Sequence, residues 1–278
     1  MNSLTLSCPA KVNLYLKVVG RRPDGYHDLV TVMQPLTLAD ELDLSLTSAN
    51  ISLDCNRPDL PVNKNNLAIR AAMAFQEATS QTFGVHLRLT KNIPVAAGLG
   101  GGSSDAAGVL RGLNRLRGQP LSSNRLHQVA RSLGADVPFF LLSGSALGQG
   151  IGDKLSPLIL PADWFVLINP GFPVSTAWVY GDLQPPFVVP QKDFIDRLAQ
   201  EHPTHWLHND LEAVTLTRYP ELADLKRLLL NEGALGTLMS GSGPTVFGIF
   251  KEKSVAVQAA DRLKAVTGFW TAAVQGVA

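Results

Sequence analysis

The sequence has few cysteines and almost no net charge. Its two cysteines, Cys8 and Cys55, are too few for a disulfide framework or a cysteine metal site, so we expect a reducing, cytoplasmic setting. The sequence has 24 lysine and arginine residues and 23 aspartate and glutamate residues, so its formal net charge is +1. This charge is too small to attract the protein as a whole to nucleic acid or a membrane. The sequence also lacks a charged-then-apolar leader and an apolar run of about 18 residues. We therefore expect small-molecule partners, with no nucleic-acid or membrane partner.

Two common nucleotide-binding motifs are also missing. The sequence contains no GxxxxGK[ST] stretch, which excludes a Walker-type NTPase. The dinucleotide fingerprint fails because the series that starts at Gly98 has Ser103 in place of the third glycine. An anion site in this protein has to be built in another way.

The stretch PVAAGLGGGSSDAAGVL, residues 94–110, is the most informative feature present. Its glycines permit positive φ and close approach, so successive N–H groups can converge on one anion. We expect Ser103 or Ser104 to cap the helix that follows, whose N-terminal end favours the same anion. We expect Asp105 to face away from it. A flexible linker is the alternative, but linkers are polar on both sides, and this stretch separates a strand pattern from an apolar helix.

The chain of 278 residues with 45% hydrophobic content suffices for one large or two ordinary domains. Alternation predicts strands over 4–8, 12–16, 42–46 and 85–89. Helices are predicted from Asn65 or Asn66 to Ala78, from the glycine stretch to Leu116, and from Ser122 or Ser123 to Gly134. A Pro/Gly-punctuated stretch at 148–161 predicts a domain boundary. Beyond it we predict a small α+β domain with strands at 165–168, 236–239, 245–250 and 269–275, and helices at 192–200, 220–231 and 253–265.

Lys11, Asn13 and Tyr15 share one face of a predicted strand, opposite an apolar face. The trio is either a solvated surface or the wall of a site, and because lysine is so often exposed, residue statistics favour the surface.

Asp136, in GADVPFF, has two interpretations as well. It is a partly buried carboxylate in need of a partner such as a lysine, or an N-cap with Pro138 in the first turn.

Three further patterns bear on ligand binding. In the turn PDGYH, Tyr26 and His27 either stack on a planar ligand or anchor the loop on the core. The stretch SGSGP, residues 240–244, is a tight hairpin or, with the first glycine stretch, part of a shared phosphate site. The histidines at 202, 205 and 208 only approximate one helical face, and Pro203 disturbs the turn, so we expect no metal centre there.

Taken together, PAKVNLYL, PVAAGLGGGSSDAAG, GADVPFF and SGSGPTVFG resemble, in order and over the whole chain, the motifs of the GHMP kinase superfamily. The resemblance implies an α+β fold of two domains. The first, residues 1–154, would be a ribosomal-protein-S5-like domain that binds ATP. The second, residues 155–278, would be a ferredoxin-like α/β sandwich that binds substrate.

The resemblance also implies the roles of individual residues. ATP, which brings Mg²⁺ with it, would bind at the glycine stretch through Pro94, Val95, Ala96, Ala97, Gly98, Leu99, Gly100, Gly101, Gly102, Ser103 and Ser104. Asp136 would be the catalytic base, and Lys11 its orienting and charge-stabilising partner.

The segment GRRPDGYHDL narrows the resemblance to members that phosphorylate the 2-hydroxyl of a cytidine diphosphate-linked methylerythritol in the non-mevalonate route to isoprenoids. Asn13, Tyr26, His27 and Tyr180 would then contact this substrate. The glycine stretch alone also fits kinases of the homoserine, mevalonate or galactose type. The alternative from another class is a protein that binds a nucleotide but catalyses no reaction. Substitution of Lys11 and Asp136 distinguishes this alternative from an enzyme.

Overall fold

The structure is a computed structural model that describes residues 2–48, 50–198 and 200–277. Its strands are β1 (Ser3–Arg21), β2 (His27–Thr47), β3 (Ile51–Cys55), β4 (Gly84–Thr90), β5 (Ser145–Gly150), β6 (Lys154–Leu158), β7 (Trp164–Asn169), β8 (His208–Asn209), β9 (Gly236–Met239), β10 (Val246–Phe250) and β11 (Trp270–Gln275). Its α-helices are α1 (Leu67–Thr79), α2 (Gly101–Leu116), α3 (Ser123–Leu133), α4 (Thr176–Asp182), α5 (Lys192–Arg197), α6 (Glu212–Arg218), α7 (Glu221–Asn231) and α8 (Lys253–Thr267). None of the helices in these ranges is long and apolar enough to cross a membrane.

The chain forms two compact units, each assembled from separate segments. Unit 1 comprises the chain up to Ala10, Leu38–Ile93 and Gly100–Ser143. Unit 2 comprises Lys11–Thr37, Pro94–Leu99 and the chain from Gly144 onward. The long strands β1 and β2 contribute residues to both. The predicted functional division at 154/155 is a different partition, and it stays a prediction.

Unit 1 is a sheet covered by helices. The second half of β2 pairs antiparallel with β4, and β3 pairs parallel with β4 on its other side. Helix α2 lies close against the strands, because a Cβ at Gly108 would be 2.5 Å from the Cys8 sulfur. The N-caps of α1 and α3 are Asn66 and Ser122, whose side chains accept from Ala68 and Arg125 backbone N–H groups. Both predicted helix starts are confirmed.

Unit 2 contains a four-stranded antiparallel sheet in the order β11-β7-β10-β9. In chain order its elements are β7, α7, β9, β10, α8 and β11, which is the split βαβ arrangement of ferredoxin-like domains. Helix α7 contacts β9 and β10, and α8 contacts β7 and β11. The strands predicted at 165–168, 236–239, 245–250 and 269–275 and the helices predicted at 220–231 and 253–265 are confirmed. The α+β class is confirmed with them.

Two predictions need comment against the structure, and two helices were not predicted. The stretch 148–161, predicted as a domain boundary, contains part of the antiparallel pair β5–β6, and the boundary stays a prediction. The helix predicted over 192–200 ends at Arg197, and residue 199 of that prediction lies outside the described residues. The short helices α4 and α6 were not predicted, since 7 residues each give few turns of periodicity to detect.

Candidate active site

Left-handed backbone conformations precede α2 in the glycine stretch. Ala96, Gly98 and Gly100 have φ values of +53°, +76° and +72°. Gly100 occupies the N-cap position in the left-handed region, and the Ser104 N–H donates to its carbonyl at 2.9 Å. The prediction of a cap at Ser103 or Ser104 is therefore wrong, because the helix already begins at Gly101 and both serines lie in its first turn. Gly100 contributes no side-chain capping hydrogen bond to this start, and helix N-termini favour anions.

Lys11, on the unit 2 part of β1, is buried, with only 3% of its surface exposed. Its Nζ donates to Asn13 Oδ1 at 2.5 Å and to the Gly98 carbonyl at 3.1 Å. Asn13 and Tyr15 are buried too, as is the apolar face of the same strand. The solvated surface favoured by residue statistics is therefore wrong. Those statistics describe lysines without partners, whereas this ammonium has acceptors that lower the cost of its burial.

The second glycine stretch, residues 240–244, connects β9 to β10 and packs on the first glycine stretch inside unit 2. The Ser240 hydroxyl donates to the Gly98 carbonyl at 2.9 Å, and the Asn13 N–H donates to Ser240 Oγ at 3.3 Å. A Cβ at Gly98 would lie 2.1 Å from the Ser240 carbonyl oxygen. The Ser240 and Gly243 N–H groups already bond to the carbonyls of Thr245 and Ser240. This segment therefore braces the lysine and the loop, and two of its amides are already used.

An aromatic cluster surrounds His27 in unit 2. The His27 ring stacks on Tyr180, with centroids 5.3 Å apart and planes at 30°, and Phe187 meets it edge-on at 5.9 Å. Burial and the charge of Arg21 lower the pKa of His27, which favours a neutral imidazole. The neighbouring Tyr26 is 59% exposed. No sequence pattern pointed to Phe187, because this residue lies in a proline-rich loop without periodicity.

Asp136 lies in unit 1, in the turn that follows α3, and is half-buried. The 3₁₀ helix that follows, Pro138–Leu141, has Val137 at its N-cap position. The N-cap interpretation of Asp136 is therefore wrong. The interpretation as a partly buried carboxylate agrees with its burial.

A buried group of three charged side chains, to which no sequence pattern pointed, lies at the start of α2. In unit 1, the Lys91 ammonium donates to Asp40 and, at 2.6 Å, to Asp105. A Cβ at Gly101 would lie 3.2 Å from Lys91 Nζ, which places this charge group directly against the first turn of α2. Asp40 also accepts from two backbone N–H groups, those of Asn92 and Ile93.

The surroundings favour the charged form of Lys91 and disfavour that of Asp105. Burial, together with the negative charge of Asp40, outweighs the attraction of Lys91 and raises the pKa of Asp105 to about 7. Burial disfavours the charge of Lys91, but the carboxylates of Asp105 and Asp40 nevertheless raise the pKa of this ammonium. The Asp105 carboxylate is thus engaged with Lys91. No spacing in the sequence signals the group, because its members come from three separate segments.

The histidines at 202 and 208 have carboxylate partners of their own. His202 Nε2 lies 2.8 Å from Asp163 Oδ2, and His208 Nε2 lies 2.7 Å from Asp210 Oδ1. Over the described ranges there is no group of three His, Cys, Asp or Glu residues that could hold a metal ion.

Comparisons with known proteins define the class. Residues 66–144 match the family model "GHMP kinases N terminal domain", and residues 194–267 match "GHMP kinases C terminal". A crystal structure of homoserine kinase from Cytophaga hutchinsonii shares the fold at a TM-score of 0.76, with 19% identity over 99% of this chain and 95% of that one. The chain thus has the fold of the GHMP kinases and matches the models of both of their domains.

Full-length relatives narrow the class. The 4-diphosphocytidyl-2-C-methyl-D-erythritol kinase of Geobacter sulfurreducens is 48% identical over 97% of this chain and 98% of its own length, and that of Pelobacter propionicus is 47% identical over 99% of both. A crystal structure of 4-(cytidine 5'-diphospho)-2C-methyl-D-erythritol kinase is 40% identical with a TM-score of 0.83, covering 98% of this chain and 99% of that one. The chain belongs to the 4-diphosphocytidyl-2-C-methyl-D-erythritol kinase family.

Proposed function

We propose that the protein is an ATP-dependent kinase that phosphorylates the 2-hydroxyl of 4-diphosphocytidyl-2-C-methyl-D-erythritol, a step of the non-mevalonate route to isoprenoids. The observation that carries the proposal is the buried Lys11 ammonium, hydrogen-bonded to the carbonyl of Gly98 in the glycine loop. Burying a lysine is costly, and a buried cation at a loop suited to phosphates fits phosphoryl transfer.

ATP binds, in this proposal, with its phosphates at the loop from Pro94 to Ser104. The loop contains the left-handed glycines Gly98 and Gly100 and leads into a helix whose N-cap residue, Gly100, has no side chain, which suits a polyanion. Mg²⁺ arrives with the nucleotide. Proteins commonly hold this ion through one or two carboxylates and the phosphates themselves, so it does not require a preformed cluster of protein ligands.

Asp136 takes the proton of the acceptor hydroxyl as the γ-phosphoryl group arrives, and Lys11 orients this carboxylate and stabilises negative charge on the hydroxyl oxygen. The half-buried position of Asp136 and the hydrogen bonds of Lys11 support these roles. Positioning and charge stabilisation supply most of the catalysis in phosphoryl transfer.

The cytosine of the substrate is recognised by Tyr26, His27 and Tyr180, and Asn13 contacts the same substrate. The stacked rings of His27 and Tyr180 support this assignment, since a planar base stacks readily on such a cluster. In functional terms, residues 1–154 form the ATP-binding domain and residues 155–278 the substrate-binding domain. We place the enzyme in the cytoplasm on the grounds of its composition.

ADP release measured with the cytidyl compound, mevalonate, homoserine and galactose tests the substrate. Turnover with the cytidyl compound alone is expected. Turnover with another alcohol and none with the cytidyl compound would assign a different GHMP kinase, and ATP binding without turnover would leave a nucleotide-binding protein.

Lys11→Ala and Asp136→Asn test the catalytic roles. Each is expected to lower kcat by about 10²- to 10⁴-fold, as typical for a proton-transfer group or its partner. Lys251→Ala and Asp261→Asn are matched controls, because both side chains are exposed. If the first pair of variants turns over as fast as the controls, the assigned roles are wrong.

A further inference from the structure

Thr31 lies in β2 and is buried, with 2% of its surface exposed. Its hydroxyl donates to the backbone carbonyl of Tyr15 at 2.7 Å and accepts from Asn13 Nδ2 at 2.9 Å. The other end of the same amide, Asn13 Oδ1, accepts from Lys11 Nζ. A chain of three hydrogen bonds therefore joins a backbone carbonyl on β1 to the Lys11 ammonium, entirely within unit 2.

The groups at the two ends of this series of hydrogen bonds fix which atoms donate and which accept. A backbone carbonyl can only accept, so the hydroxyl hydrogen of Thr31 points to Tyr15 and the Thr31 oxygen is left to accept. The end of the Asn13 amide that faces Thr31 must then be its NH₂ group. The amide oxygen consequently faces the ammonium of Lys11, which can only donate. Thr31 thus selects the amide orientation that Lys11 requires.

Packing holds Thr31 in this place. The residue pairs with Gly148 of β5, and a Cβ at Gly148 would lie 3.1 Å from the Thr31 methyl group. Any larger side chain at 148 would press on Thr31. The β-branched side chain is itself restricted at χ1, so the hydroxyl has a well-defined direction.

We propose that Thr31 is a positioning residue for Lys11 that acts by orienting the Asn13 amide. The inference rests on the proposed function, in which Lys11 stabilises charge at the acceptor hydroxyl. Without the hydroxyl, the Asn13 NH₂ group loses its buried acceptor, and the amide is free to rotate away from the orientation that faces its oxygen to Lys11. Thr31 touches neither ATP nor the acceptor in this proposal.

The test compares Thr31→Val with Thr31→Ser. Valine keeps the shape and removes the hydroxyl, whereas serine keeps the hydroxyl and removes the methyl group. In ADP-release assays with the cytidyl compound, we expect Thr31→Val to lower kcat roughly 10- to 100-fold, as a small misplacement of a catalytic group does, with the KM for ATP changed less than about threefold. Thr31→Ser is expected to retain most of the kcat. Thr271→Val, which removes a hydroxyl that donates to the Ala260 carbonyl in the C-terminal sheet, is the matched control.

A second comparison, of Thr31→Ala with Thr31→Ser, also differs by one hydroxyl. It shows whether kcat depends on that hydroxyl if the valine variant does not fold. Measuring Thr31→Val in the Asn13→Ala background tests the route: the loss should largely disappear there, because the amide through which Thr31 acts is gone.

Equal kcat for the hydroxyl-free variants and the wild type overturns the proposal, and so does an undiminished loss in the Asn13→Ala background. A wild type without turnover, or a Lys11→Ala variant as active as the wild type, overturns the proposed function instead.

Discussion

Asp105→Asn should stabilise the protein, and more so as the pH rises. The carboxylate shares a buried site in unit 1 with one ammonium, Lys91, and one further carboxylate, Asp40. Two negative charges and one positive charge leave this site with an excess negative charge when all three groups are ionised. Because burial and the neighbouring carboxylate raise the pKa of Asp105 from 3.8 to about 7, the folded protein retains a proton that the unfolded chain has already released.

The size of the effect follows from that difference in pKa. A rise of roughly three units, at about 1.4 kcal/mol per unit, amounts to about 4 kcal/mol of lost stability once Asp105 is ionised. The loss begins near the unfolded pKa of Asp105, grows with increasing pH, and is complete above the folded pKa, because the folded state binds more protons than the unfolded state across that interval. Asparagine has no proton to lose, and its amide can donate to Asp40 and accept from Lys91.

Urea unfolding of both proteins at several pH values measures the difference. Between about pH 5 and pH 8, the free energy of unfolding of Asp105→Asn relative to the wild type should rise by about 2 to 3 kcal/mol. Asp261→Asn, which changes an exposed carboxylate, should follow the wild-type profile. Parallel profiles for Asp105→Asn and the wild type would refute the reasoning, since they would mean that Asp105 titrates alike in the folded and unfolded states.

Two further predictions concern the glycine loop and the thiols. Gly98→Ala should lower the free energy of unfolding by roughly 2 kcal/mol or more, because a Cβ there meets the Ser240 carbonyl at 2.1 Å on a backbone with φ of +76°. Gly102→Ala has nothing within 4 Å of its Cβ and should unfold near the wild-type temperature; equal melting temperatures for the two variants contradict this prediction. Burial raises the pKa of Cys8 to about 12, so a thiol reagent should modify Cys55 alone in the native protein and Cys8 only after unfolding; equal native rates for both would count against it.

Local signals accounted for much of the fold. Capping asparagine and serine residues and a regular apolar spacing placed α1 and α3, because these features act within one or two turns of the chain. Alternation located most of the strands for the same reason. The start of α2 was missed by a few residues, since a left-handed glycine, Gly100, took the capping position that serines usually hold.

The site was less predictable, because its decisive contacts join distant segments. Periodicity put Lys11 and Asn13 on one face of a strand, but it could not show that this face is buried. Thr31 lies in an apolar run and has no local signal. The partners of Lys91 are 51 and 14 residues away in sequence, far beyond the three or four residues that separate neighbouring side chains on a helix. The order of the motifs indicated the candidate residues, but only the tertiary structure showed the contacts that position them.

The hydrogen bond between Asn13 and Ser240 spans 227 residues of sequence. At a synthesis rate of about 5–20 residues per second, roughly 10 to 45 seconds separate the appearance of its two partners on the ribosome. Lys11 is therefore made well before the serine that braces its loop. Contacts of such long range form late in folding. Catalytic activity should therefore report that a nascent chain has been synthesised at least as far as Ser240, because a chain that ends before this serine cannot close the bond.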